Sequence, residues 1–262
     1  MVAALIERLW VGNAGRNFNY LIACPASGEA LVIDPLDADL CLGAARQRGW
    51  RITQVLNTHE HNDHIGGNAA VRAATGALLL AHPLAERRVG PIDQPLREGD
   101  VVAVGSVRLH IWEAPGHTPA HVVAYLEAEP AVFSGDTLFG AGVGNCTKGG
   151  DPNQLYDTFR RLVGQLPPAT RLYPGHDYMD RNLAFARDRE PDNDAARHQQ
   201  ERIKNEEIAP VSTLAEERTY NPFLRLDSAT LRAHLQRAVA ELPKNADDRA
   251  TFLALRKLRD RW

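Results

Sequence analysis

The most informative stretch of the sequence is Thr58-His59-Glu60-His61-Asn62-Asp63-His64-Ile65-Gly66-Gly67. Side chains two residues apart in an extended segment point to the same side, so His59 and His61 can bind one ion. Asp63 and His64 are neighbours and must diverge from that pair, which suits a second ion on the other side. The stretch therefore predicts a metal site with four closely spaced donors.

Strand ends provide the context for this stretch and for three further donors. The apolar pair Val55-Leu56 predicts a buried strand just before it, and Gly66-Gly67 allows the backbone to turn into a helix afterwards. His117, Asp136 and His176 also follow apolar strands, and small residues before each of them let the backbone approach a crowded centre. Open α/β sheets commonly hold their sites at the carboxyl ends of strands, so we expect all seven donors to meet there.

The chain divides by pattern into two parts, predicted as domains over 1–176 and 177–262. The first alternates strands and helices, predicted at 20–23, 30–33, 54–56, 101–104, 107–112, 122–126, 131–133 and 171–173 for strands and at 37–48 and 153–166 for helices. The second is predicted to be helical at about 180–190, 194–208, 228–242 and 247–262. The expected fold class is therefore α/β with a helical C-terminal domain.

Composition limits the possible functions. The chain has 262 residues, 44% of them hydrophobic, and a formal net charge of -3, so no basic surface for nucleic acid or membranes is expected. The sequence has no apolar run of about 18 residues, so no membrane-spanning helix is expected, and no signal peptide is expected either. The three cysteines, Cys24, Cys41 and Cys146, are widely spaced and are expected to be reduced in a cytoplasm. A monomer or weak homo-oligomer is expected.

Taken together in this order and context, the seven donors resemble those of the metallo-β-lactamase superfamily. The segment 132–139, Val-Phe-Ser-Gly-Asp-Thr-Leu-Phe, is similar to the strand and bridging-aspartate loop of that superfamily. The segment 212–223, Ser-Thr-Leu-Ala-Glu-Glu-Arg-Thr-Tyr-Asn-Pro-Phe, resembles a stretch of the helical domain of glyoxalase II, the hydroxyacylglutathione hydrolase family. The metal donors indicate the superfamily, and the second segment narrows the resemblance to the family.

This resemblance implies a fold and a set of metal ligands. The fold is an αβ/βα sandwich of two mixed sheets with outer helices, followed by the helical domain. One metal would be held by His59, His61 and His117, and the other by Asp63, His64 and His176. Asp136 would bridge the two, and both Asp63 and Asp136 are assigned to catalysis. The ions are expected to be zinc, although iron and manganese also accept histidine and carboxylate ligands.

The implied reaction is hydrolysis of a small-molecule thioester. Water between two divalent ions loses a proton near neutral pH, so a metal-bridged hydroxide can attack a carbonyl without a protein nucleophile. A thioester suits such a site because its thiolate leaves readily. S-lactoylglutathione, which yields lactate and glutathione, is the usual substrate of the family.

The substrate residues follow the family less closely than the metal ligands do. Family members carry a lysine and a tyrosine in the loop after the bridging aspartate, where this chain has Asn145 and Thr147, with Lys148 close by. Tyr178 matches a family tyrosine at the thiol-carrier pocket. In the last helix, Arg256 and Arg259 occur where the family has cations for a substrate carboxylate, although they could equally form a solvated helix face.

Several alternatives stay open at this point. The carrier could be another acidic thiol. A related family, the persulfide dioxygenases, uses one iron held by the equivalents of His59, His117 and Asp136, and a non-catalytic protein on the same scaffold is a third possibility. The complete second set of donors argues against both. The remaining histidines, at positions 82, 110, 121, 198 and 234, are predicted to be structural or exposed.

Overall fold

Two mixed β-sheets and ten α-helices make up the computed structural model, which describes residues 3–262. The strands are β1 (Leu5–Trp10), β2 (Phe18–Ala23), β3 (Glu29–Ile33), β4 (Arg51–Leu56), β5 (Leu78–Ala81), β6 (Gln94–Pro95), β7 (Val101–Val104), β8 (Val107–Glu113), β9 (Val122–Leu126), β10 (Ala131–Gly135), β11 (Leu138–Phe139), β12 (Gly142–Val143) and β13 (Arg171–Pro174). The α-helices are α1 (Ala38–Arg48), α2 (Asn62–Ile65), α3 (Asn68–Thr75), α4 (Glu86–Val89), α5 (Pro152–Gln165), α6 (Met179–Arg189), α7 (Asp194–Ile203), α8 (Leu214–Tyr220), α9 (Ala229–Ala238) and α10 (Asp248–Arg259).

The strands form two large sheets and one short hairpin. The first sheet has the order β1-β2-β3-β4-β5-β6, and the second has the order β13-β10-β9-β8-β7. The first contains both antiparallel and parallel pairs, and β13 pairs in parallel with β10 in the otherwise antiparallel second sheet. The short strands β11 and β12 pair with each other and follow β10 directly in the sequence.

Three clusters of buried apolar side chains hold these sheets and helices together. Alternate side chains such as Ile22 and Ile111 form the core between the sheets, as the two-residue period of a strand requires. The opposite face of the first sheet, including Leu21, packs with α1 and α3. The outer face of the second sheet packs with α5 and C-terminal helices. The resulting order of helices, first sheet, second sheet and helices confirms the predicted αβ/βα sandwich.

The C-terminal helices share a core with the second sheet. Phe252 and Leu255 of α10 lie in the same buried cluster as Val123 and Val132 of that sheet and Phe159 of α5. The division into domains at residues 176 and 177 stays a prediction, and the first two residues of the predicted first domain lie outside the described range. None of the helices within residues 3–262 has the length and apolarity needed to cross a bilayer.

Some element boundaries differ from the predictions. Helix α7 ends at Ile203 rather than near 208, because the polar run 204–207 offers no apolar face to bury. Helix α9 ends at Ala238, and Val239 is already extended. Helix α8 was not predicted from periodicity; its seven residues begin at a capping box in which Thr213 and Glu216 bond each other's backbone N–H groups.

The buried carboxylate of Glu217 links α8 to the β11–β12 hairpin by hydrogen bonds. It accepts hydrogen bonds from the backbone N–H of Ala141 at 2.7 Å and from the side chains of Ser212, Tyr220 and Asn221. Burial raises its pKa to about 7 despite these donors. The segment that narrowed the family resemblance therefore connects the helical region to the loop that follows Asp136.

Candidate metal centre

All seven predicted donors meet at one edge of the sandwich. His59 and His61 follow β4, Asp63 and His64 lie in the short helix α2, and the other donors follow β8, β10 and β13. The donor histidines other than His61 are at most 3% exposed, so most of the site is closed to bulk water. Because each donor group follows the end of a strand, the fold brings together residues that are far apart in the sequence.

The first group of donors consists of three imidazole nitrogens. Nδ1 of His61 lies 3.1 Å from Nε2 of His59 and 2.9 Å from Nε2 of His117. Metal–nitrogen bonds of about 2.1 Å in a tetrahedral shell place neighbouring ligands about 3.4 Å apart. These three nitrogens are therefore close to the spacing that a single ion requires.

The second group combines two imidazoles and a carboxylate. Nε2 of His64 lies 3.2 Å from Nε2 of His176, and Oδ2 of Asp63 lies 3.4 Å from the latter atom and 3.8 Å from the former. In this group, as in the first, the ligand atoms all lie within 4.8 Å of one another. The chain therefore has the donors of a dinuclear site for divalent ions.

Asp136 lies between the two groups. Its Oδ2 is 3.4 Å from Nε2 of both His117 and His176, and its Oδ1 is 3.5 Å from Nε2 of His64. Oδ1 is buried and has no hydrogen-bond donor among the described residues. A buried carboxylate oxygen normally has a partner, so this atom fits a metal ion as its missing partner.

Hydrogen bonds on the far side of the rings orient four of the histidines. Each uses Nδ1 in this bond and turns Nε2 towards the centre: His59 to Oγ1 of Thr58 (3.1 Å), His64 to Oδ2 of Asp34 (3.0 Å), His117 to the carbonyl of Asn145 (2.6 Å) and His176 to the carbonyl of Gly15 (2.6 Å). His61 instead turns Nδ1 inward. Such outer partners fix both the ring position and the tautomer of a metal ligand.

Asp34 is the most important residue that the sequence analysis missed. Its Oδ1 accepts the backbone N–H of Thr58 at 2.7 Å, and its Oδ2 accepts the Thr58 hydroxyl at 2.6 Å in addition to the His64 ring. It directly follows β3, so the strand-end rule that found the other donors also applied to it.

Two further side chains support the centre from outside. The buried His121 stacks on His59 at 4.9 Å and accepts the backbone N–H of Asp136 at 3.0 Å. Asn17 donates to the backbone carbonyl of Asp63 at 3.0 Å. His121 was predicted to be structural or exposed, and its buried position behind the site agrees with the first of these; nothing in the sequence indicates the role of Asn17.

The pKa shifts of His59 and Asp136 suit metal binding, whereas that of His64 does not: burial lowers its pKa, but Asp136 and Asp34 outweigh burial and raise it to about 9. Burial, with His64 as the next cause, lowers the pKa of His59 well below its usual range, so its imidazole is neutral. Burial opposes ionisation of Asp136, but the nearby histidines, His176 first, outweigh it and lower its pKa well below the usual range. A neutral imidazole and an ionised carboxylate are the forms that bind metals.

A cavity of about 280 Å³ lies beside the donors. The Tyr178 ring lines it and stacks on His176, with 4.8 Å between ring centroids and an 8° angle between planes. The complete lining is Phe139, Val143, Asn145, Thr147, Tyr178, Arg181, Asn182, Arg256, Arg259 and Asp260. Five of the six predicted substrate residues are among these, Lys148 is not, and Arg181 and Asn182 had not been predicted.

The cavity carries an excess of positive charge. Arg256 pairs with Asp260 at 3.0 Å, whereas Arg181 and Arg259 have no carboxylate partner within residues 3–262. Burial, followed by the charges of Arg181 and Arg256, lowers the pKa of Arg259 to about 10. An anion bound here would relieve the repulsion among these guanidinium groups.

The two predicted arginines of the last helix have different surroundings. The Arg259 guanidinium bonds Oδ1 of Asn182 at 3.1 Å and is half-buried. Arg256 is only 5% exposed and donates to the backbone carbonyls of Val143 and Gly144. Binding of a substrate carboxylate by Arg256 stays a prediction, and its contacts with the protein indicate a further role.

Comparisons with known proteins match both parts of the chain. Residues 12–176 match the family model described as the metallo-beta-lactamase superfamily. Residues 177–262 match the model described as the hydroxyacylglutathione hydrolase C-terminus. Two curated relatives named hydroxyacylglutathione hydrolase, from Nitrosococcus oceani and a Polaromonas species, are each 52% identical to this chain. Each match covers 98% of this chain and 100% of the relative.

Solved structures with the same fold are more distant in sequence. ETHE1 from Myxococcus xanthus is 26% identical, with a TM-score of 0.68 over 97% of this chain and 99% of that one. The protein TTHA1623, solved in a di-iron-bound form, is 28% identical, with a TM-score of 0.61 over 83% of this chain and 100% of that one.

Proposed function

The chain belongs to the hydroxyacylglutathione hydrolase family of the metallo-β-lactamase superfamily, and from that membership we propose that it hydrolyses glutathione thioesters, with S-lactoylglutathione as its substrate. The observation that carries the proposal is the cationic cavity directly beside the metal donors. Tyr178 belongs to both, because its ring lines the cavity and stacks on the donor His176. A substrate whose carrier is anionic and whose acyl carbonyl reaches the donors suits this arrangement.

The proposed metal ligands are those of the family. His59, His61 and His117 would hold one ion; Asp63, His64 and His176 would hold the other; and Asp136 would bind both. Two divalent ions in these positions would lower the pKa of water to near neutrality and polarise the thioester carbonyl. The chain's own contribution is to fix four of the imidazole rings through the bonds on Nδ1, to keep the His59 imidazole neutral, and to exclude bulk water by burial.

We assign the carrier to the cavity residues. Arg181 and Arg259 would receive glutathione carboxylates, since neither has an acidic partner within the described residues. Tyr178 would pack against the thiol end of the carrier beside the donors. Asn145 and Thr147 hydrogen-bond each other at 2.7 Å at the entrance and would contribute polar contacts in place of the family's lysine and tyrosine.

Carrier selectivity tests this proposal. We expect a kcat/KM for S-lactoylglutathione above about 10⁴ M⁻¹s⁻¹. The lactoyl thioester of N-acetylcysteamine has the same acyl group but no carboxylate for Arg181 and Arg259 to bind. It is expected to react at least about tenfold less efficiently, which corresponds to a loss of about 1.4 kcal/mol of binding. Equal efficiencies for both substrates would exclude glutathione as the recognised carrier and leave a hydrolase of other thioesters.

The finer predictions made from the sequence also stay proposals. They are zinc as the bound metal, a cytoplasmic location, and a monomer or weak homo-oligomer.

A further inference from the structure

Arg256 joins the last helix to a loop beside the metal donors. Its Nη1 donates to the carbonyl of Val143 at 2.9 Å and to the carbonyl of Gly144 at 3.2 Å. Its Nη2 pairs with Oδ1 of Asp260 at 3.0 Å, and its guanidinium carbon lies 5.6 Å from the centre of the Phe223 ring. Three of its five N–H groups are therefore bonded inside the protein, two of them to consecutive backbone carbonyls, and its buried Nε has no hydrogen-bond partner among the described residues.

The loop that accepts these bonds directly contacts two of the donors. The next carbonyl along it, that of Asn145, accepts the Nδ1–H of His117 at 2.6 Å. The backbone N–H of Gly144 donates to the carbonyl of Thr137 at 3.3 Å. A Cβ atom on Gly144 would lie 1.9 Å from the carbonyl oxygen of Asp136 and 3.3 Å from Nδ1 of His117. The loop therefore cannot shift towards the donors, and a shift away would break the bond to His117.

We infer that Arg256 is a positioning residue for the metal centre and acts on His117 through the backbone of residues 143–145. Its two carbonyl bonds hold the loop so that the Asn145 carbonyl keeps the His117 ring in place with Nε2 turned to the ions. Loss of an outer partner of a metal ligand typically weakens metal affinity about 10–100-fold. The inference rests on the proposed metal centre but not on the identity of the thioester.

This role predicts different behaviour from a substrate clamp. If Arg256 only binds a substrate carboxylate, its removal raises KM and leaves metal affinity unchanged. If it positions His117, its removal weakens metal binding in the absence of any substrate and also lowers kcat. The effect should concern the ion held by His59, His61 and His117 more than the ion held by Asp63, His64 and His176.

The test is a metal titration of chelator-stripped protein, with Zn²⁺ competed against a chromophoric chelator and no substrate present. Arg256→Ala is expected to bind one of its two ions about 10–100-fold more weakly than the wild type. Arg256→Lys should recover part of this loss, since an ammonium group can still donate to a backbone carbonyl. If the alanine variant does not fold, the lysine variant carries the test and is expected to show a smaller weakening of the same ion.

Two neighbouring variants serve as controls. Lys257→Ala removes an exposed cation from the same helix and should bind both ions as the wild type does. Arg259→Ala removes a cavity cation that does not contact the loop carbonyls; it should raise KM without changing metal affinity. A folded Arg256→Ala variant with wild-type affinity for both ions would overturn the inference, as would wild-type affinity in Arg256→Lys if the alanine variant does not fold. Wild-type protein that binds two ions but does not cleave S-lactoylglutathione would refute only the proposed substrate.

Discussion

Replacing Asp136 by alanine is expected to lower kcat at least about 10³-fold, because ionic stabilisation in such a site is worth several kcal/mol and each 1.36 kcal/mol is a factor of ten. This carboxylate lies within 3.5 Å of nitrogens from both donor groups, and its buried Oδ1 has no other partner among the described residues. Its loss should therefore weaken both ions together. Metal content per chain, measured by elemental analysis after gel filtration, should fall below two.

A matched control separates this effect from a general loss of negative charge. Asp180 is exposed on α6 and contacts Gln200 rather than any donor. Asp180→Ala should keep both its ions and a near wild-type kcat. An Asp136→Ala variant that retains two tightly bound ions and wild-type turnover would contradict the assignment of Asp136 to both ions.

The second large effect is expected from Asp34→Asn. The carboxylate accepts the Nδ1–H of His64, so the amide NH₂ of asparagine would face this N–H when its oxygen bonds the backbone N–H of Thr58. His64 would then favour the tautomer that carries its proton on Nε2, the atom that faces the ions. We expect about 10–100-fold weaker binding of the ion held by Asp63, His64 and His176, with little loss of folding, because asparagine tolerates the positive φ of 49° at this position.

A Co²⁺ titration followed by visible absorption measures this change. Co²⁺ reports the coordination of each ion separately, so the variant should fill one site normally and the other only at higher concentration. Unchanged filling of both sites would show that the bond from Asp34 does not determine the tautomer of His64.

The strand and donor pattern made much of the fold and site predictable. Apolar segments such as 30–33 and 131–133 are long enough to be recognised as buried strands, and a donor follows several of them. The same rule applies to Asp34, but a single aspartate with no histidine beside it does not stand out as part of a metal site. Helix α8 was missed because seven residues are too few to establish a helical period.

Other features depended on contacts that the sequence does not indicate. The partners of His117 and His176 are the backbone carbonyls of Asn145 and Gly15, and a carbonyl is present at every residue. The two cations of the last helix, Arg256 and Arg259, looked equivalent at positions i and i+3. Both line the cavity, and only the packing of α10 against the loop after Asp136 makes Arg256 a buried donor to the backbone.

The most direct test of the dinuclear hydrolase is activity regained as metal is returned to stripped protein. We expect S-lactoylglutathione hydrolysis to rise with added Zn²⁺ and to reach its maximum at two ions per chain, with kcat/KM above about 10⁴ M⁻¹s⁻¹. Full activity at one ion per chain would contradict the two-ion site. A protein that takes up a single iron, does not cleave the thioester and consumes oxygen with glutathione persulfide would instead support the dioxygenase.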